Sequence, residues 1–111
     1  MSKFFFLLVI SLSLISCGNA ETKKLQQFAA ARGPIKSACM NSGRDKATTQ
    51  LCGCAQVAAS QALTYEDQQR GAAFFSDPSL AQKVRASDTS RDDAFWERWY
   101  EFGNAAQQLC A

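Results

Sequence analysis

Cysteines 39, 52, 54 and 110 constrain this chain more than any other feature, because the segment ahead of them decides whether they are thiols or cross-links. That segment opens with Met1-Ser2-Lys3, runs apolar from Phe4 to Ile15 and ends in small residues around Cys17. A bilayer-spanning helix needs about 20 apolar residues, so this run is too short to span. A positive start, a short apolar centre and a small-residue end make a secretory signal. Residues 1–16 are therefore expected to be removed. The rest should fold in an oxidising compartment, where an even set of cysteines pairs.

Two cleavage sites compete. Leu14-Ile15-Ser16-Cys17 resembles the lipobox of bacterial lipoproteins: a branched apolar residue, a tolerant position, a small residue, then Cys. That resemblance implies that the Cys17 thiol receives a diacylglycerol and becomes the mature N-terminus, a membrane anchor. Gly18 rather than Asp at the second position implies sorting to the periplasmic face of the outer membrane. The rival is Gly18-Asn19-Ala20, a small-x-small site cut after Ala20. It would discard Cys17 and release a soluble periplasmic protein.

Four cysteines allow three connectivities. Cys52 and Cys54 are two apart on an expected helix, about 200° apart around its axis, so each should take a distant partner. Cys54 falls on the stripe Leu51, Cys54, Ala55, Ala58, Ala62, the expected inner face. Cys110 follows Leu109 at the end of an aromatic helix that should cover that face. Cys39–Cys52 with Cys54–Cys110 is favoured over Cys39–Cys54 with Cys52–Cys110. Cross-links closing loops of these lengths contribute about 3 and 4 kcal/mol, comparable to the whole stability of a small domain.

After the signal, helix signals recur and strand signals do not. The expected fold is all-α: a small irregular array of four to six short helices stapled by two disulfides. Residues 17–33 read as a tether or a weak helix, stopped at Gly33-Pro34, and residues 34–111 as the stapled domain. Pro34 can open a short helix that ends at Asn41-Ser42-Gly43. A longer helix is expected from about Ala47 to Leu63. Thr64 with Asp67 three residues on makes a capping box for a helix through Phe75, closed near Ser76. Asp77-Pro78 should cap and open another to about Arg85. Ser90 should cap the last helix, where Phe95, Trp99, Phe102, Ala106 and Leu109 recur at 4-3-4-3 spacing.

Composition excludes more than it identifies. About 90 residues remain after either cut, one small domain. Without Lys3 there are eleven Lys and Arg against ten Asp and Glu, with no basic block, so no nucleic-acid partner is expected. The chain has no His, which removes the commonest general base and the usual zinc ligand. No phosphate loop and no nucleophile elbow is present. No enzyme activity, cofactor or metal is expected.

Several motifs carry chemistry in principle. Cys52-Gly53-Cys54 could exchange disulfides if a sulfur were exposed, but two further cysteines are at hand as structural partners. A soft-metal site of the four Cys and Met40 lacks a Cys-x-x-Cys pair. Phe95, Trp99 and Phe102 are expected in the core, with Trp96 and Tyr100 flanking them as a candidate partner surface. Arg85, Arg91 and Arg98 read as a solvated face, with Arg98 near Glu101 one turn on.

Cys39, Leu51-Cys52-Gly53-Cys54, Phe74-Phe75-Ser76-Asp77-Pro78, Val84-Arg85-Ala86-Ser87-Asp88 and Arg91-Asp92-Asp93-Ala94-Phe95-Trp96-Glu97-Arg98 together resemble a group of small exported alphaproteobacterial proteins. The group is mostly without assigned activity, and some members carry the name "arginine transporter". The resemblance implies the fold and the compartment and no catalytic residues. A permease needs several spans, so at most it implies an accessory to solute transport. The expectation is a small, lipid-anchored envelope protein with a structural or protein-interaction role. The alternatives are that transport accessory or a periplasmic thiol–disulfide protein using Cys52-Gly53-Cys54.

Overall fold

The computed structural model describes residues 18–111, with side chains from Ala20 onward; the signal and Cys17 lie outside the described residues. Six helices and no strand are found there: α1 (Gly18–Ala30), α2 (Pro34–Met40), α3 (Thr49–Ala62), α4 (Tyr65–Ser76), α5 (Ser79–Arg85) and α6 (Ser90–Cys110). The all-α array stapled by two disulfides is thus the observed architecture.

The helix boundaries follow local chemistry. Thr48 caps α3, its hydroxyl accepting from Leu51 N at 3.1 Å. Thr64 and Asp67 form the expected reciprocal box, which satisfies two N–H groups that helix geometry leaves without partners. α6 is capped by Thr89 rather than Ser90; the Thr89 hydroxyl accepts from Asp92 N at 3.2 Å, and Ser90 is the first helical residue. Pro78 holds the N-cap position of α5. Asp77 still serves that helix start, accepting from Ser79 N at 3.1 Å.

α3 sits at the centre, in contact with α1, α2 and α6. That arrangement widens its buried face beyond the stripe read from periodicity. Cys52, Gly53, Gln56 and Ala59 are buried together with Cys54 and Ala58, because neighbours lie on three sides. Leu51, placed on the inner face by the 3.6-residue period, is 39% exposed, because it borders an open groove among α1, α3 and α6. α6 runs antiparallel to α3: Cys110 bonds Cys54 near one end, while Phe102 packs with Leu63 and Ala58 toward the other.

Residues 18–30, between a tether and a helix in the sequence reading, form α1 and pack on α3. The reason is Gly53. A Cβ there would land on the Phe28 carbonyl, so the bare glycine lets the two backbones touch, and Phe28 is buried. Pro34 therefore marks a turn between two packed helices rather than the edge of the folded part. Gly71 plays the same part for α4 and α6, where a Cβ would overlap the Trp99 ring.

Two apolar clusters share that indole. Ile35, Ala58, Ala59, Leu63 and Phe102 form one; Phe74, Val84 and Phe95 form the other; half-buried Trp99 touches both. Phe74 meets Phe95 and Trp99 edge-on at 6.0 and 5.1 Å between centroids, the geometry that ring quadrupoles favour. Phe95, Trp99 and Phe102 thus make core contacts, with Phe95 the most deeply buried of the three.

Candidate functional site

The four cysteines form the favoured pairs, Cys39–Cys52 and Cys54–Cys110. α2 lies on the Cys52 side of α3 and α6 on the Cys54 side, so the two sulfurs of Cys52-Gly53-Cys54 are consumed by different neighbours. Cys52 is fully buried and Cys54 is 2% exposed. A disulfide that exchanges readily needs an accessible sulfur; Cys52 and Cys54 offer none, and their partners Cys39 and Cys110 are half-buried. These bonds place the folded domain in an oxidising, non-cytoplasmic environment.

Sequence reasoning missed the most connected buried polar group. Gln56, 2% exposed, accepts with Oε1 from Ile35 N at 2.9 Å and Lys36 N at 3.0 Å. Its Nε2 donates to Gln68 Oε1 at 2.7 Å and to Ser60 Oγ at 3.1 Å. The start of α2 explains this. Gly33 has no side chain to cap it, Pro34 has no N–H, and Ser37 N finds only the Gly33 carbonyl. Gln56 reaches from α3 to satisfy the two N–H groups between. Gly33 makes room, since a Cβ there would fall on the Gln56 amide.

A polar cleft of about 560 Å³ lies between the start of α4 and the first turns of α6, lined by Glu66, Asp67, Arg70, Arg91 and Arg98. Arg98 does not pair with Glu101 as its spacing suggests. It holds Asp67 through Nε at 2.8 Å and a second guanidinium nitrogen at 2.9 Å. The capping box has already fixed that carboxylate, so a long-range partner wins over a flexible local one. Arg70 pairs with Asp92 at 2.5 Å and lies over the Phe95 ring at 4.4 Å. Arg91 and Glu66 are 3.7 Å apart and both exposed, a pair of little energetic weight. Each of the three cations meets an acid, so the cleft is a clamp between α4 and α6 rather than an anion receptor.

The clamp predicts an acid limit. The Arg98 guanidinium holds the Asp67 carboxyl below its ordinary value of 3.8. The Ser87 hydroxyl and the Arg70 guanidinium pull Asp92 down to about 2. Both carboxyls are depressed on folding, so below pH 4 the unfolded chain binds more protons and stability falls with pH. The melting temperature should hold above the unfolded carboxyl range of about 4 and drop as pH approaches 2. Thermal unfolding followed across pH 2–7 checks this, and Arg98→Ala should flatten the acid limb. An unchanged limb in that variant would show that Asp67 does not contribute.

Two of the open surfaces involve α6. Trp96 is half-buried against the second cluster, while Tyr100 is 62% exposed. With Glu97, Arg98 and Glu101 they line a shallow groove of about 420 Å³ on α6. A larger groove of about 590 Å³ lies where α1, the start of α3 and the end of α6 meet. Leu25, Phe28, Leu51 and Leu109 line it, beside the Cys54–Cys110 bond, with Lys24 at its wall. Leu25 is 48% exposed there. Neither its lining from three helices nor its exposed leucines were foreseen. The signal was present in Leu25, an apolar residue on an otherwise polar helix surface.

Met40 is exposed, and the four cysteine sulfurs it would join in a soft-metal site are paired in disulfides. Among the described residues no group of three or more Cys, Asp or Glu is arranged to hold a metal ion, and no helix is long and apolar enough to cross a membrane. Compared with models of protein families, with curated proteins and with solved structures, the chain matches none.

Proposed function

We propose that this chain is an exported envelope protein, lipid-anchored through Cys17, whose disulfide-stapled domain acts by binding another envelope protein. One observation carries the interaction reading: Tyr100 is left 62% exposed beside half-buried Trp96 on the longest helix. Aromatic side chains of this kind dominate the energetic centres of protein interfaces. The rest of the aromatic stripe, half-buried Trp96 included, packs on the core, which leaves Tyr100 as the ring turned outward. The absence of His and the capture of all four domain cysteines in disulfides leave few groups for catalysis. The anchor is supported by Leu14-Ile15-Ser16-Cys17 at the end of the apolar run.

Both halves are testable in the native envelope. Cys17→Ser should shift the protein out of the membrane fraction or stall its processing, and should abolish incorporation of a fatty-acid analogue. A wild type that takes up no label sinks the anchor. Crosslinking followed by capture should recover a protein adduct that Tyr100→Ala loses while its melting temperature is unchanged. An adduct indifferent to Tyr100 removes this surface as the contact.

A further inference from the structure

The groove at the α1–α3–α6 junction is not used by the partner surface on α6. We infer that it is a lipid-facing site, which seats Leu25 and Leu51 in the surface of the membrane that carries the anchor. This inference rests on the lipid-anchor reading of Cys17.

The argument starts from where the described chain begins. α1 opens at Gly18, directly after Cys17. Ala20 and Glu21 already line the groove, three and four residues along the chain from Cys17. A lipid on Cys17 therefore brings this end of the domain, and no other, into the headgroup layer. Aliphatic surface is left open at that same end. Leu25 and Leu51 are two of the most exposed large apolar side chains among the described residues, and they share one groove. Lys24 lies at the wall and Lys23 is exposed beside it, while Glu21 is the only acid of α1. Exposed leucines flanked by lysines are the composition of a surface that lies in a membrane interface, where apolar burial and attraction to anionic headgroups add. Tyr100, by contrast, sits about 15 Å up α6 from Cys110, clear of that layer.

The test places a photoreactive p-benzoylphenylalanine at one position at a time in the full chain, in the native envelope. Positions 25 and 51 report the groove. Position 26 is the next residue on α1 but turned about 100° away, and position 65 opens α4, beyond the far end of α3. Lipid adducts are expected at 25 and 51 and should be lost at 26 and 65. Equal adducts at 25 and 26 would mean mere nearness to the anchor and would overturn the site. So would protein adducts, or none, at 25 and 51. A second variant guards against disturbance by the probe. With the probe at Gln50, on the same wall, Leu25→Asp with Leu51→Asp should cut the lipid adduct about tenfold without detaching the protein. An undiminished adduct counts against the site. Fatty-acid labelling of Cys17, read in parallel, separates the two ideas. Label without groove adducts leaves the anchor and removes the site; groove adducts without label remove the anchor and leave a peripheral lipid site; neither removes both.

Discussion

Replacing Cys54 and Cys110 together by Ala is expected to lower the melting temperature of the oxidised domain by about 20 °C, the largest effect of any change outside the signal. The bond joins residues 56 apart in sequence, against 13 for Cys39–Cys52. In the chain-entropy account the longer loop restrains the unfolded ensemble by about 4 kcal/mol and the shorter by about 3. A domain of this size loses roughly 4–8 °C per kcal/mol. Cys54–Cys110 also ties the end of α6 to α3, beside the apolar groove, where Leu109 is only partly buried and packing alone holds less. Circular dichroism melts of the two double variants decide the order. A larger loss from Cys39→Ala with Cys52→Ala, or a shift of a degree or two from the longer bond, would show that α6 is held by packing. The same proteins bear on the thiol-exchange alternative. With Cys52 and Cys54 buried and their partners Cys39 and Cys110 half-buried, the oxidised protein should resist glutathione and show no turnover in insulin reduction. Measurable turnover lost on mutating Cys52 would replace the structural reading.

What could be read from the sequence was what local geometry decides. The disulfide pairing was legible because residues two apart on a helix face different ways, and α3 does have α2 on one side and α6 on the other. The Thr64–Asp67 box was legible because every group in it lies within four residues. The cap of α6 was displaced by one residue, from Ser90 to Thr89, because both carry a hydroxyl and neighbouring backbone geometry chooses between them. The other misreadings involve neighbours distant in sequence. Arg98 takes Asp67, 31 residues back, rather than Glu101 one turn on. Leu51 fits the apolar period but borders the open groove that α1 and the end of α6 form with α3. The segment before Pro34 read as a tether or a weak helix; a single glycine on another helix, Gly53, lets it pack on α3.

Gln56 is the strongest case, and it yields the second large prediction. In the run Cys54-Ala55-Gln56-Val57-Ala58 a glutamine looks like an ordinary helix former on a solvated face. Its role depends on a deficiency elsewhere, the start of α2, which has no capping side chain. Gln56→Leu keeps similar bulk and removes both acceptor and donor. Ile35 N and Lys36 N would then be left without partners, the first of them in the core, and Gln68 would lose its donor. A buried polar group left unpaired costs about 1–3 kcal/mol, so the variant should lose about 3 kcal/mol in all, or 10–20 °C of melting temperature. Gln61→Leu, exposed on the same helix, should change little and controls for helix propensity. Amide exchange supplies the discriminating readout. In Gln56→Leu the Ile35 amide should exchange far faster under native conditions, while amides in the middle of α6 change only in step with global stability. A variant as stable as the parent, with Ile35 still protected, would mean that α2 finds another cap and that Gln56 is only filling space.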